Sequence, residues 1–217
     1  MDLTYEFYIE IPVFSTSLII GLYNFKKIDT ASKIICVLLI AELLNESIAY
    51  YMAKKYHNNL AEYNIYSLIE FSIICWYFNN VIDVFIRKKI GTYIGIIGVA
   101  FGIINIIFIQ HIHVLNSYFL FVEGVFTIGM CLFAFFRLLL KQEELRIFRY
   151  HHFWFISIIL FYWCITYLSW GLYDILGTKF NQYISIISLL IWLVNVITYG
   201  GIGSIFLLYP KLQERGK

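Results

Sequence analysis

Residues 31–53 read ASKIICVLLIAELLNESIAYYMA, an apolar run with Lys26 and Lys27 before it and Lys54 and Lys55 after it. About 20 such residues suffice for a helix to cross a bilayer. Glu42, Asn45 and Glu46 interrupt the run at spacings of three and four, so a helix places all three on one face. Six further apolar runs cover about residues 6–24, 62–82, 91–110, 115–137, 152–173 and 181–208. Backbone groups in hydrocarbon must be paired within their own segment, and strand-like alternation over ten residues is not seen. The expected fold is therefore all-α, a polytopic membrane protein with seven transmembrane helices in a single domain over residues 1–217.

The composition agrees. The chain of 217 residues is 61% hydrophobic and 20% aromatic, with a mean hydropathy of +0.77. The runs use most of it, which excludes a soluble domain of useful size. Of the 16 Lys and Arg, 13 fall on alternate connections: Lys26, Lys27 and Lys33; Arg87, Lys88 and Lys89; Arg137, Lys141, Arg146 and Arg149; Lys211, Arg215 and Lys217. Lys54, Lys55 and Lys179 make up the other side. Short basic loops stay in the cytoplasm, so the C-terminus is expected inside, the N-terminus outside, and the protein in a bacterial inner membrane. The net charge of +2 reflects this topology and gives no reason to invoke nucleic acid. The first run follows Asp2 and Glu6 rather than basic residues and lacks Ala-x-Ala after it, so it is expected as a retained helix. Cys36, Cys75, Cys131 and Cys164 lie inside runs without a Cys-x-x-Cys and are expected as apolar thiols.

The informative residues are the carboxylates within the runs. Glu42 and Glu46 are joined by Glu70 in the third run, Glu123 in the fifth and Glu10 in the first. A charge in the membrane costs several kcal/mol unless it is neutralised, paired or hydrated. With the expected orientation, Glu42 lies near mid-depth and Glu46, Glu70 and Glu123 in the outer half. Asn105 falls toward the outer end of the fourth run, Asp174 at the outer end of the sixth and Asn195 near the middle of the seventh. No Lys or Arg shares that level. The ligand-binding residues expected are thus Glu42, Asn45, Glu46, Glu70, Asn105, Glu123 and Asn195, around a polar cavity open toward the outer side. The inner halves, with Ile34, Ile35, Val37, Leu132 and Phe133, read as apolar.

Catalytic and cofactor motifs are missing. His111-Ile-His113 and His151-His152 offer only weak metal signals, the metal question stays open, and no cofactor is expected. His-Glu-x-x-His, Gly-x-Ser-x-Gly and a nucleotide-binding loop are absent. Rhodopsins and G-protein-coupled receptors share the expected topology, but the seventh run holds no Lys for a retinal Schiff base, and Asp-Arg-Tyr and Asn-Pro-x-x-Tyr do not occur.

Three short stretches carry a resemblance: Asn64-Ile-Tyr66-Ser-Leu-Ile69-Glu70-Phe71, the pair Glu123-Gly124, and His152-Phe153-Trp154-Phe155. In order and spacing the chain resembles a family of small seven-helix membrane proteins of Bacteroidetes. That family often has Arg or Thr before the Glu-Gly pair, where this chain has Phe121-Val122. Its members often stand beside sensor histidine kinases, so the resemblance implies a signalling role and a kinase or other signalling partner. The expected function is a receptor-like sensor that binds a small, cationic or hydrogen-bonding ligand in the acidic cavity. The alternative is a proton- or cation-coupled transporter or channel using the same glutamates; an intramembrane enzyme comes last.

Single-cysteine labelling in intact cells tests the orientation. Positions 59 and 111 should react with a membrane-impermeant reagent from outside and position 88 only after lysis; labelling of Arg146→Cys from outside would refute the assignment.

Overall fold

The computed structural model describes residues 3–140, 147–171 and 184–214. Among these it is all helical. The elements are α1 (Leu3–Tyr23), α2 (Thr30–Tyr56), α3 (Leu60–Val81), a short α4 (Asp83–Lys88), α5 (Ile90–Ile104), α6 (Ser117–Leu140), α7 (His151–Gly171) and α8 (Ile184–Glu214). Among the described residues, seven of these helices overlap the seven apolar runs. Four are long and apolar enough to cross a membrane: α2, α5 with its extension to Ile109, α6 and α8. The apolar stretches of α1 and α7, Phe7–Tyr23 and His151–Tyr167, are shorter. Lys141–Arg146, Asp174, the turn at Gly177-Thr178, Lys179, Arg215 and Lys217 lie outside the described residues.

Two boundaries differ from the sequence expectation. The Asn79-Asn80 pair, residue types that favour turns, is inside α3, where the Asn80 side-chain amide donates to the Trp76 carbonyl at 2.8 Å. The fourth run does not end as an α-helix. Asn105–Ile109 widens to a π-helical turn whose closing bond runs from the Gln110 N–H to the Asn105 carbonyl at 2.7 Å.

α1 packs on α2 and α8, α2 on α3, α3 on α6, α6 on α7, and α7 on α8. These contacts close a ring of six helices, and α5 lies outside it against α3 and α6. In lipid, apolar burial between helices gains little over contact with acyl chains, so close packing and interhelical polar contacts must hold the ring. Both are present. Ser17 on α1 donates to the Tyr199 carbonyl of α8 at 2.7 Å, and the Asn24 amide reaches the Phe206 carbonyl at 3.1 Å. α5 buries Gly91, Gly95, Gly98 and Gly102 as one stripe. It turns Ile96, Ile97, Ile103, Ile107 and Phe108 outward. Gly91 is the tightest approach to backbone: a Cβ there would stand 2.6 Å from the Cys75 carbonyl oxygen, which cannot move aside.

Gly91→Ala should therefore lower stability in detergent by about 1–3 kcal/mol. Gly129→Ala, with nothing within 4 Å of the added Cβ, should be neutral or gain up to about 1 kcal/mol from helix propensity. Thermal unfolding of the two purified variants checks the contrast; equal costs would remove the case for backbone contact at Gly91.

Candidate functional site

The ring brings three of the expected carboxylates together. Glu42 on α2, Glu70 on α3 and Glu123 on α6 are buried, Glu123 completely. Glu42 and Glu70 interact electrostatically, as do Glu70 and Glu123. Three phenols complete the constellation. Tyr66, one turn before Glu70, and Tyr199 on α8 face the Glu42 carboxyl. Tyr162 on α7 stands within electrostatic reach of Glu42, Glu46, Glu70 and Glu123. Sequence reasoning assigned these tyrosines no part in the site. Their spacing gave a signal in one case only, since Tyr66 lies four residues before Glu70 and so on its face.

Several polar atoms here have no hydrogen-bond partner among the described residues: both Glu123 oxygens, Glu42 Oε2, both amide atoms of Asn45, and the hydroxyl of Thr127 one turn along from Glu123. A buried polar group left unpaired costs about 1–3 kcal/mol, and native proteins seldom tolerate several in one place. Among the described residues, no Lys or Arg is buried. The arrangement gathers oxygen atoms from α2, α3 and α6 inside the ring.

The other expected residues are placed differently. Asn45 is buried one turn from Glu42, and Glu46 is half-buried on the same helix. Half-buried Asn195 donates to Glu10 Oε1 at 3.2 Å, linking α8 to α1. Asn105 is fully buried but bonded elsewhere. Its amide meets the Gln110 side-chain oxygen at 2.8 Å and the Asn116 side-chain oxygen. Asn64 finishes that network. Its amide donates to the Ile112 and Val114 carbonyls at 2.8 and 2.7 Å, and its oxygen accepts from the Asn116 N–H at 2.9 Å. Asn105 therefore anchors the loop that follows the π turn.

The opposite end of the bundle, expected to be apolar up to the basic loops, holds a second polar cluster. Asp29 precedes α2, and its Oδ1 accepts from the Ser32 N–H at 2.7 Å as the helix cap. Its Oδ2 accepts from Nε2 of His151 at 3.0 Å and of His152 at 2.7 Å, both at the start of α7. The Asp29 N–H donates to the Tyr209 hydroxyl of α8 at 3.0 Å, and the Tyr77 hydroxyl of α3 lies 3.2 Å from His152 Nδ1. Burial opposes ionisation of Asp29, but the hydrogen bonds from His151, His152 and Ser32 hold its carboxyl well below the usual range. The pair His151-His152 was visible in the sequence; that Asp29 meets it across more than a hundred residues was not.

No protein-family model matches this chain, and comparison with curated proteins and with solved structures yields no match.

The contrast between unpaired and paired amides is measurable. Asn64→Ala should cost about 1–3 kcal/mol, because it strands two part-buried carbonyls and a buried N–H. Asn45→Leu, which removes atoms that pair with nothing, should leave ligand-free stability unchanged or raise it by about 1 kcal/mol. Chemical or thermal unfolding in detergent reads both, and a cost at Asn45 equal to that at Asn64 would make Asn45 a structural residue.

Proposed function

We propose that this chain is a receptor-like membrane sensor, with seven spans, an outer N-terminus and an inner C-terminus. It takes a small cationic or hydrogen-bonding ligand between Glu42, Asn45, Glu70 and Glu123. The observation that carries this reading is the set of unpaired oxygens on Glu42, Asn45 and Glu123, buried beside Glu70 with no buried cationic side chain among the described residues. A bound cation or amine would supply the missing partner, and its contacts to α2, α3 and α6 together would bias how those helices pack. A cytoplasmic or membrane signalling protein would receive the change at the basic loops. The resemblance to a family found beside sensor kinases is consistent with that partner.

Sensing is favoured over transport by what lies between the two polar clusters. Each helix of the site carries buried apolar residues between its upper and lower polar groups: Ile35 and Leu39 on α2, Ile74 on α3, Met130 and Cys131 on α6, Ile156 and Ile159 on α7, Ile202 and Phe206 on α8. Such a layer stops a hydrated ion. The alternative, a proton- or cation-coupled transporter or channel, draws on one observation. Tyr77 follows Glu70 by seven residues, two turns along the same face of α3 and about 10 Å lower, and it meets His152.

Purified protein in detergent, tested against Na⁺, Ca²⁺, ammonium and choline, should show a raised unfolding temperature with at least one of them. Glu70→Gln should weaken that binding by about 1–3 kcal/mol, the loss of a charge-assisted contact. Proteoliposomes of the wild type should show no flux of the same ion or of protons. Wild-type flux abolished by Glu70→Gln would overturn the sensor and establish the transporter.

A further inference from the structure

The Asp29–His151–His152 cluster is separate from the acidic site, and its geometry is more than that of a capped helix. One ring nitrogen of each imidazole and a carboxylate oxygen of Asp29 lie within 4.8 Å of one another. Both rings aim the same nitrogen at the same oxygen, at 3.0 and 2.7 Å. A metal held at about 2.0–2.2 Å by such donors needs them roughly 3.3 Å apart, so slight widening at fixed ring orientation would admit an ion. We propose that this cluster is a binding site for a borderline divalent transition-metal ion of the Zn²⁺ class, held by Asp29, His151 and His152 with at least one position left to water.

The surroundings fit that use. The two histidine side chains are 9% and 4% exposed while Asp29 is 39% exposed, so two ligands are fixed and the third opens a path to solvent. Tyr77 holds the far nitrogen of His152 at 3.2 Å, the outer contact that orients a ligating imidazole. The protons balance without an external base. In the metal-free state each neutral ring carries its proton on Nε2 and donates it to Asp29. On binding, the proton moves to Nδ1, Nε2 takes the metal, and His152 Nδ1–H donates to the Tyr77 oxygen. Two imidazoles and a single carboxylate select nitrogen-preferring ions over Mg²⁺ or Ca²⁺, which require more oxygen ligands. Occupancy would tie the α1–α2 connection to the start of α7 more firmly than two hydrogen bonds do.

The test uses full-length protein purified without a polyhistidine tag and carrying His111→Ala and His113→Ala, which removes the exposed His-x-His as a competitor. Titration with Co²⁺ should give one equivalent with the visible absorption of a low-coordinate site, displaced by Zn²⁺ and not by excess Mg²⁺. Zinc-edge X-ray absorption of the loaded protein should show two imidazole nitrogens and oxygen, with no sulfur. Asp29→Asn keeps the helix cap and should weaken binding at least about 100-fold, whereas Tyr77→Phe should weaken it about 10-fold. If Asp29→Asn does not fold, His151→Gln takes its place with the same expected loss. Failure to bind Co²⁺, a sulfur-containing shell, or affinity unchanged in Asp29→Asn or His151→Gln would each overturn the proposal. None of these results depends on whether the glutamate cluster takes a ligand.

Discussion

Asp29 holds three parts of the chain at one point. One carboxylate oxygen caps α2, the other accepts from two histidines that begin α7, and the backbone N–H meets the hydroxyl of Tyr209 near the end of α8. Hydrogen bonds to a charged acceptor are roughly twice as strong as neutral ones. They act where they are most needed, since between lipid-embedded helices apolar contact alone gives little preference for one partner over another. The ring of α1, α2, α3, α6, α7 and α8 is thereby fixed at one end by polar contacts and along its length by small residues such as Gly203, which seats against Ser17.

Once the ring is closed at that end, the other polar residues have defined neighbours. Glu42, Glu70 and Glu123 come from three helices, α2, α3 and α6, and meet with Tyr66, Tyr162 and Tyr199 around them. The network of Asn64, Asn105, Gln110 and Asn116 does a different job with the same residue types. Its members bond one another and the loop backbone, with only Asn105 Oδ1 and Asn116 Nδ2 left over among the described residues. The glutamate cluster is left with unpaired oxygens. The two clusters thus differ in what their polar atoms meet: side chains and loop backbone in the one, carboxyls and phenols of neighbouring helices in the other.

Two polar clusters lie at opposite ends of the bundle with a packed apolar layer between them. Interiors packed without slack move as whole helices, because side chains cannot be compressed individually. A ligand that draws α2, α3 and α6 together near the glutamates would therefore act on the same helices that meet Asp29 and Tyr77 at the far end. A metal at Asp29 would set how firmly that far end resists.

The chain's own order of residues determined that it is helical and built for a membrane. Hydrocarbon accepts only segments that satisfy their own backbone, and runs such as 31–53 are long and apolar enough to do so. It also marked Glu42, Glu70 and Glu123, because a carboxyl in such a run is costly wherever the helix sits. Tertiary structure decided the rest. Helical periodicity fixes which face a residue occupies but not which helix that face meets. Asn105 and Glu123 look alike in sequence, each a polar residue in an apolar run; only packing made one a loop anchor and left the other without a partner. Asp29 lies outside every apolar run, and its meeting with His151 and His152 arose from closing the ring, a contact between positions more than a hundred residues apart that no local pattern encodes.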